Sequence, residues 1–184
     1  MLRYFSVKFL LLCLICINIT VFAQTPDLSI LTIDRIFASS EFAPQGVGGF
    51  RWLKSGDAYT KIEPSATFKG GTDLVSFDAA NNSRTVLIPA QKLVPSGETA
   101  PLRIAGYEWS ADNQQMLIFT NTKRVWRLNT LGDYWVLDLN NWKLKKLGGN
   151  AKPSTLMFAK FSPDGKKVGY VRENNIYIEE LANG

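Results

Sequence analysis

Tyr107-Glu108-Trp109-Ser110-Ala111-Asp112-Asn113-Gln114-Gln115-Met116-Leu117-Ile118-Phe119 places an aromatic strand, a turn of small polar residues and an apolar strand in one short run. Ser, Asp and Asn suit such a turn because they offer local side-chain hydrogen bonds and tolerate left-handed backbone. The same order recurs in Phe50-Arg51-Trp52-Leu53-Lys54-Ser55-Gly56-Asp57-Ala58-Tyr59 and in Ala159-Lys160-Phe161-Ser162-Pro163-Asp164-Gly165-Lys166-Lys167-Val168-Gly169-Tyr170. A further strand follows each unit: Asp73-Leu74-Val75-Ser76-Phe77-Asp78, Tyr134-Trp135-Val136-Leu137-Asp138-Leu139 and Ile176-Tyr177-Ile178-Glu179-Glu180-Leu181. Trp52 and Trp109 are 57 positions apart, and Trp109 and Phe161 are 52, near the roughly 40 to 50 residues of a propeller blade with long loops. The repeat therefore predicts about three blades. A closed ring ordinarily needs about four or more, so the expected fold is a partial β-propeller, with a β-sandwich of accidental similarity as the alternative.

Periodicity agrees with an all-β chain, since nearly every patterned segment alternates with period two. The exception is Thr32-Ile33-Asp34-Arg35-Ile36-Phe37-Ala38-Ser39-Ser40, where Ile33, Ile36 and Phe37 fall at helical spacing behind a possible Thr32 cap. Residues 1–23 read as a cleaved signal peptide. Arg3 and Lys8 supply the positive start, an apolar run of about 13 residues follows, and Val21-Phe22-Ala23 forms the cleavage site. A membrane span needs roughly 20 apolar residues, so export to a periplasmic or extracellular location is expected. The predicted division is a leader over residues 1–23, a lead-in over residues 24–45 and the partial propeller over residues 46–184, truncated at its C-terminal side.

Composition limits the chemistry. Both cysteines, Cys13 and Cys16, lie in the leader, so the exported product would carry neither thiol nor disulfide. The chain has no histidine, which removes a Ser-His-Asp relay from these 184 residues, and no Gly-x-Ser-x-Gly elbow is present. The carboxylates Asp73, Asp78, Asp112, Asp133 and Asp164 sit singly at predicted turns rather than in ligand-spaced clusters, so neither a metal nor another cofactor is expected. The formal charge of +5 includes Arg3 and Lys8 of the leader. The densest basic run, Lys143-Leu144-Lys145-Lys146, alternates as an exposed strand would and lacks interleaved aromatic residues, which argues against a nucleic-acid partner.

One segment remains: Val125-Trp126-Arg127-Leu128-Asn129-Thr130-Leu131-Gly132-Asp133-Tyr134-Trp135-Val136-Leu137-Asp138-Leu139. It resembles a signature of the dipeptidyl peptidase IV branch of the prolyl oligopeptidase family, a Trp-Arg step followed by an aromatic strand ending in Asp-Leu. Leu31-Thr32-Ile33-Asp34-Arg35-Ile36-Phe37 resembles an early segment of that family, and Asn174-Asn175-Ile176-Tyr177 adds to the likeness. Phe161-Ser162-Pro163-Asp164-Gly165 is shared with periplasmic propellers of the TolB-like kind. The resemblance implies a propeller that caps an α/β-hydrolase domain in cis, in a serine peptidase that releases N-terminal dipeptides with proline or alanine second. It also implies that Arg127 is a substrate-binding residue, its guanidinium donating to a substrate carbonyl, and it allows a homodimer of the full-length form. Glu179-Glu180 is not the family's paired glutamate, because both continue a strand and would point to opposite faces.

The leading expectation is thus the N-terminal propeller fragment of an exported dipeptidyl peptidase IV-like peptidase, acting as substrate gate and docking surface. The alternative is a non-catalytic TolB-like propeller that binds protein partners, and a third reading is a peptidase-derived propeller whose catalytic domain has decayed.

Overall fold

The computed structural model describes Asp27, residues 29–43 and residues 48–182. The leader, its cleavage site and both cysteines lie outside the described residues. Two compact units are distinguished, Met1–Gly46 and Val47–Gly184. In the first, the helical expectation is met by one wide turn, Asp34–Ala38. The Arg35 amide donates to Thr32 Oγ1 at 3.2 Å, so Thr32 supplies a cap as its side chain suggests. The Arg35 guanidinium pairs with Glu41, its Nε lying 3.0 Å from Glu41 Oε2. Ile33, Ile36 and Phe37 are exposed. Among the described residues no helix is long and apolar enough to cross a membrane.

The second unit is a partial β-propeller. Its first blade is an antiparallel meander of β1 (Phe50–Trp52), β2 (Ala58–Pro64), β3 (Thr72–Asp78) and β4 (Arg84–Ile88) in that spatial order. The second is β5 (Gly106–Trp109), β6 (Gln115–Val125), β7 (Leu128–Asp138) and β8 (Lys143–Lys146), with β8 on the outer side of β7. The third holds β9 (Leu156–Phe161), β10 (Lys167–Arg172) and β11 (Asn175–Glu180), three strands among the described residues. It touches the second blade's sheet through one pairing, Gly132 with Leu156. The expected three repeats are therefore two four-stranded blades and one three-stranded blade.

The repeated turn has a physical basis that reappears atom for atom. Ser110 Oγ donates to Asp112 Oδ1 at 2.6 Å, Asp112 Oδ1 accepts the Gln114 amide at 3.0 Å, and Ser110 Oγ accepts the Gln115 amide at 2.9 Å. Ser162, Asp164, Lys166 and Lys167 make the same three bonds at 2.6, 3.0 and 2.9 Å. Asn113 and Gly165 take the left-handed backbone the turn requires, at φ 58° and 70°. The Ser110 and Ser162 hydroxyls, followed by the backbone amides, hold the Asp112 and Asp164 carboxyls below the usual carboxylate range. The first blade keeps the backbone of this turn with other side chains. Gly56 at φ 78° donates to Leu53 O at 3.0 Å, and Leu53 donates to Ala58 O at 2.9 Å.

Blades pack face to face, and the middle one is covered on both sides. Trp109, Met116, Ile118 and Leu137 are buried against Leu74 and Ile88 of the first blade and Leu93 beyond it. From the opposite face Leu117, Tyr134 and Val136 meet Leu156, Ala159, Val168 and Tyr170 of the third blade. Successive strand residues point to opposite faces, so the uninterrupted Met116-Leu117-Ile118 follows from burial on both sides.

A polar knot joins the first two blades inside this apolar layer. Thr60 is fully buried. Its carbonyl accepts the Tyr107 hydroxyl at 2.9 Å, and its Oγ1 lies 2.8 Å from that hydroxyl and accepts the Trp109 indole N–H at 3.3 Å. Burial pushes the Tyr107 hydroxyl pKa above its ordinary value, a trend that the hydrogen bond to Thr60 opposes. Thr60→Val keeps the volume and removes an acceptor, leaving the indole N–H buried without a partner. The expected cost is about 1–3 kcal/mol, read as a lowered urea midpoint at unchanged slope. A loss below about 0.5 kcal/mol would show that the Thr60 hydroxyl contributes nothing to the knot.

Candidate functional site: a projecting arm carrying Arg127

β6 and β7 are 11 residues each, longer than any neighbouring strand. β5 pairs with β6 only as far as Phe119, and β8 pairs with β7 only from Trp135 onward. Beyond the Thr120–Asp133 pair the hairpin continues, with register shifts between Thr120 and Lys123 and between Lys123 and Arg124, to a final Val125–Leu128 pair. Its tip is the two-residue turn Trp126-Arg127. In the sequence Arg127 stands just before an aromatic strand. The structure places it at the end of an arm.

The tip is unusual in composition. Two-residue hairpin turns favour Gly, Asn or Asp where φ is positive, yet Trp126 holds φ 58° there, a conformation uncommon for a bulky residue. Trp126 is 92% exposed and Leu128 69%. Arg124 Nε donates to the Trp126 carbonyl at 3.0 Å, which fixes one side of the turn. Arg127 is exposed, and among the described residues its guanidinium makes no hydrogen bond or ion pair. A planar cation with several free donors at the end of a supported arm can receive a carbonyl or carboxylate oxygen from outside the blade.

The arm's base is built by residues that the sequence reading did not bring together. Asp133, read there as a turn acid, is a buried residue of β7, 6% exposed. Its Oδ1 accepts the Ser154 amide at 2.8 Å, and its Oδ2 accepts Asn121 Nδ2 at 2.8 Å and lies 3.6 Å from Lys146 Nζ. The available signal was Gly132 inside a strand pattern, which marks a bulge or a close backbone approach.

The other acids lie apart from this arm. Asp73 accepts the Ala90 amide at 2.8 Å, and Asp78 caps the turn after β3 through the Ala80 and Asn81 amides, both at 2.9 Å. Glu179 and Glu180 take different partners. Glu179 accepts the Gly148 amide at 3.0 Å and pairs with Lys145 at 3.4 Å, while Glu180 pairs with Lys167 at 3.0 Å. Among the described residues no three acidic, His or Cys side chains are grouped so as to hold a metal.

Residues 110–184 match the family described as the dipeptidyl peptidase IV (DPP IV) N-terminal region. A probable dipeptidyl-aminopeptidase B of Tuber melanosporum is 28% identical over 136 residues, covering 72% of this chain and 15% of the relative. Another, of Penicillium rubens, is 30% identical over 99 residues, covering 47% of this chain and 11% of the relative. The chain thus spans only a small fraction of the relatives it matches. In fold it is similar to the crystal structure of Porphyromonas gingivalis dipeptidyl peptidase 4, with TM-score 0.63 and 23% identity over 86% of this chain and 21% of that one. In sequence over residues 110–184, and in fold over most of its length, the chain resembles the N-terminal β-propeller region of the dipeptidyl peptidase IV-like peptidases.

Proposed function

We propose that this chain is the N-terminal propeller portion of an exported serine peptidase that removes dipeptides from the N-termini of peptides, with proline or alanine second. In this reading residues 1–23 direct export, residues 24–45 lead in, and residues 46–184 gate and dock substrate for an α/β-hydrolase domain in cis that supplies the nucleophile and its base. The observation that carries the reading is the exposed Arg127 guanidinium at the tip of the β6–β7 arm, within the segment that matches the family. The arm takes the donor away from the packed blade faces, so an oxygen of an approaching peptide can reach it without disturbing the core. Residues of this chain bind and orient, and bond cleavage belongs to the domain in cis.

The test reads the gene past Gly184, where a frame without an α/β-hydrolase domain would sink the reading, and compares any longer product with the 184-residue chain. The longer product is expected to begin at Gln24 once exported, as its mass would report, to release an alanyl-prolyl reporter, and to lose that activity to a serine-directed phosphonylating reagent. The shorter chain is expected to hydrolyse nothing. An extended product without such activity would sink the peptidase reading.

A further inference from the structure

We propose that Asp133 is a positioning residue that sets the direction of the arm and thereby places Arg127, an inference that rests on the substrate-facing role proposed above. The β6–β7 hairpin loses its partners β5 and β8 before Asp133 and keeps a single pairing beside it, Gly132 with Leu156 of β9, so the angle of the arm is fixed at this level. Asp133 is suited to do so because its one buried carboxylate holds three elements. Asn121 belongs to β6, Asp133 itself to β7, and Ser154 to the connection leading into β9 of the next blade. Ser154 Oγ closes the ring by donating to the Asn121 carbonyl at 2.6 Å. Lys146 of β8, 3.6 Å away, offsets the charge, which a buried carboxylate requires.

The backbone around the carboxylate is equally constrained. Asn121 and Ser154 both hold left-handed conformations, at φ 46° and 58°. Beside Asp133, a Cβ on Gly132 would lie 2.2 Å from the Phe119 ring and 2.8 Å from the Thr120 carbonyl oxygen, so the strands cross too closely for any other residue without displacement. Left-handed backbone at Asn121 and Ser154, with a close strand crossing at Gly132, gives the root of the hairpin the constraint that a fixed direction needs.

The lever is long. From Asp133 to Arg127 the strand rises about 20 Å at roughly 3.3 Å per residue, so a change of about 10° at the base moves the tip by about 3.5 Å. That exceeds the whole tolerance of a hydrogen bond, whose useful range spans about 0.5 Å, and misplacements of about 1 Å already cost large factors in rate.

Two measurements test this. In amide hydrogen exchange on the 184-residue chain, Asp133→Ala is expected to speed exchange of residues 122–131 by about tenfold or more, while Leu117 and Val136 keep their protection. Asp133→Asn, which still accepts from Ser154 and can donate to a turned Asn121 amide, is expected to keep the arm protected. In the longer product, Asp133→Ala should lower kcat/KM on the alanyl-prolyl reporter about fivefold or more, yet add less than about twofold in an Arg127→Ala background, because two residues acting through one contact are not additive. If Asp133→Ala does not fold, Asn121→Gly removes the arm-side side-chain bond at a left-handed position that glycine holds without strain, and takes its place. Unchanged exchange in the arm, or a loss that persists in full when Arg127 is already absent, overturns the role of Asp133. A neutral Arg127→Ala instead overturns the reading on which this role rests.

Discussion

Leu137→Ala is expected to destabilise the chain by about 2–5 kcal/mol, the range for truncating a fully buried leucine whose neighbours cannot close the space. Leu137 lies in β7, opposite Met116 of β6, and is wholly buried in the layer between the first and second blades. Trp109, Ile118, Leu74 and Ile88 share that layer. Collapse into the vacated volume would have to draw two sheets together, and the Thr60 knot to Tyr107 and Trp109 holds their separation. Urea unfolding would report the loss. Ile176→Ala provides the contrast, since Ile176 is 81% exposed and its truncation should cost within about 0.5 kcal/mol. If Leu137→Ala costs less than about 1 kcal/mol, the blades do not pack through this layer as described.

The fold was legible where local chemistry repeats. Ser110 with Asp112, and Ser162 with Asp164, announce the same turn because its hydrogen bonds depend on those side chains, and the three strands predicted after the turns correspond to β3, β7 and β11. The arm was hidden for opposite reasons. Its residues Asn121-Thr122-Lys123-Arg124 cover no core, so no burial imposes an alternating pattern. Its tip, Trp126-Arg127, contains none of the residues that mark hairpin turns. Asp133 read as a turn acid because carboxylates seldom enter a strand's buried side. Only the tertiary meeting of Asn121, Ser154 and Lys146 explains its place. The role proposed for Arg127 comes from the family resemblance, and the structure adds the reach and exposure of the arm.

Arg127 is the residue whose loss should change function most while changing the fold least. It packs against no core residue, so Arg127→Ala should leave the melting temperature of the longer product within about 2 °C of the parent. A charge-assisted hydrogen bond to a substrate carbonyl is worth about 1.5–3 kcal/mol. On the proposed role, its removal should lower kcat/KM on the alanyl-prolyl reporter by roughly 10- to 150-fold, because the scissile bond would no longer be held in line with the nucleophile. Arg127→Lys should recover little, since an ammonium is a point charge and lacks the planar donor fork. The decisive measurement is kcat/KM for parent and Arg127→Ala in the longer product, taken with both melting temperatures. A fall of about tenfold or more at preserved stability is the result expected, whereas activity within about threefold of the parent at preserved stability would contradict the substrate-facing role of the arm.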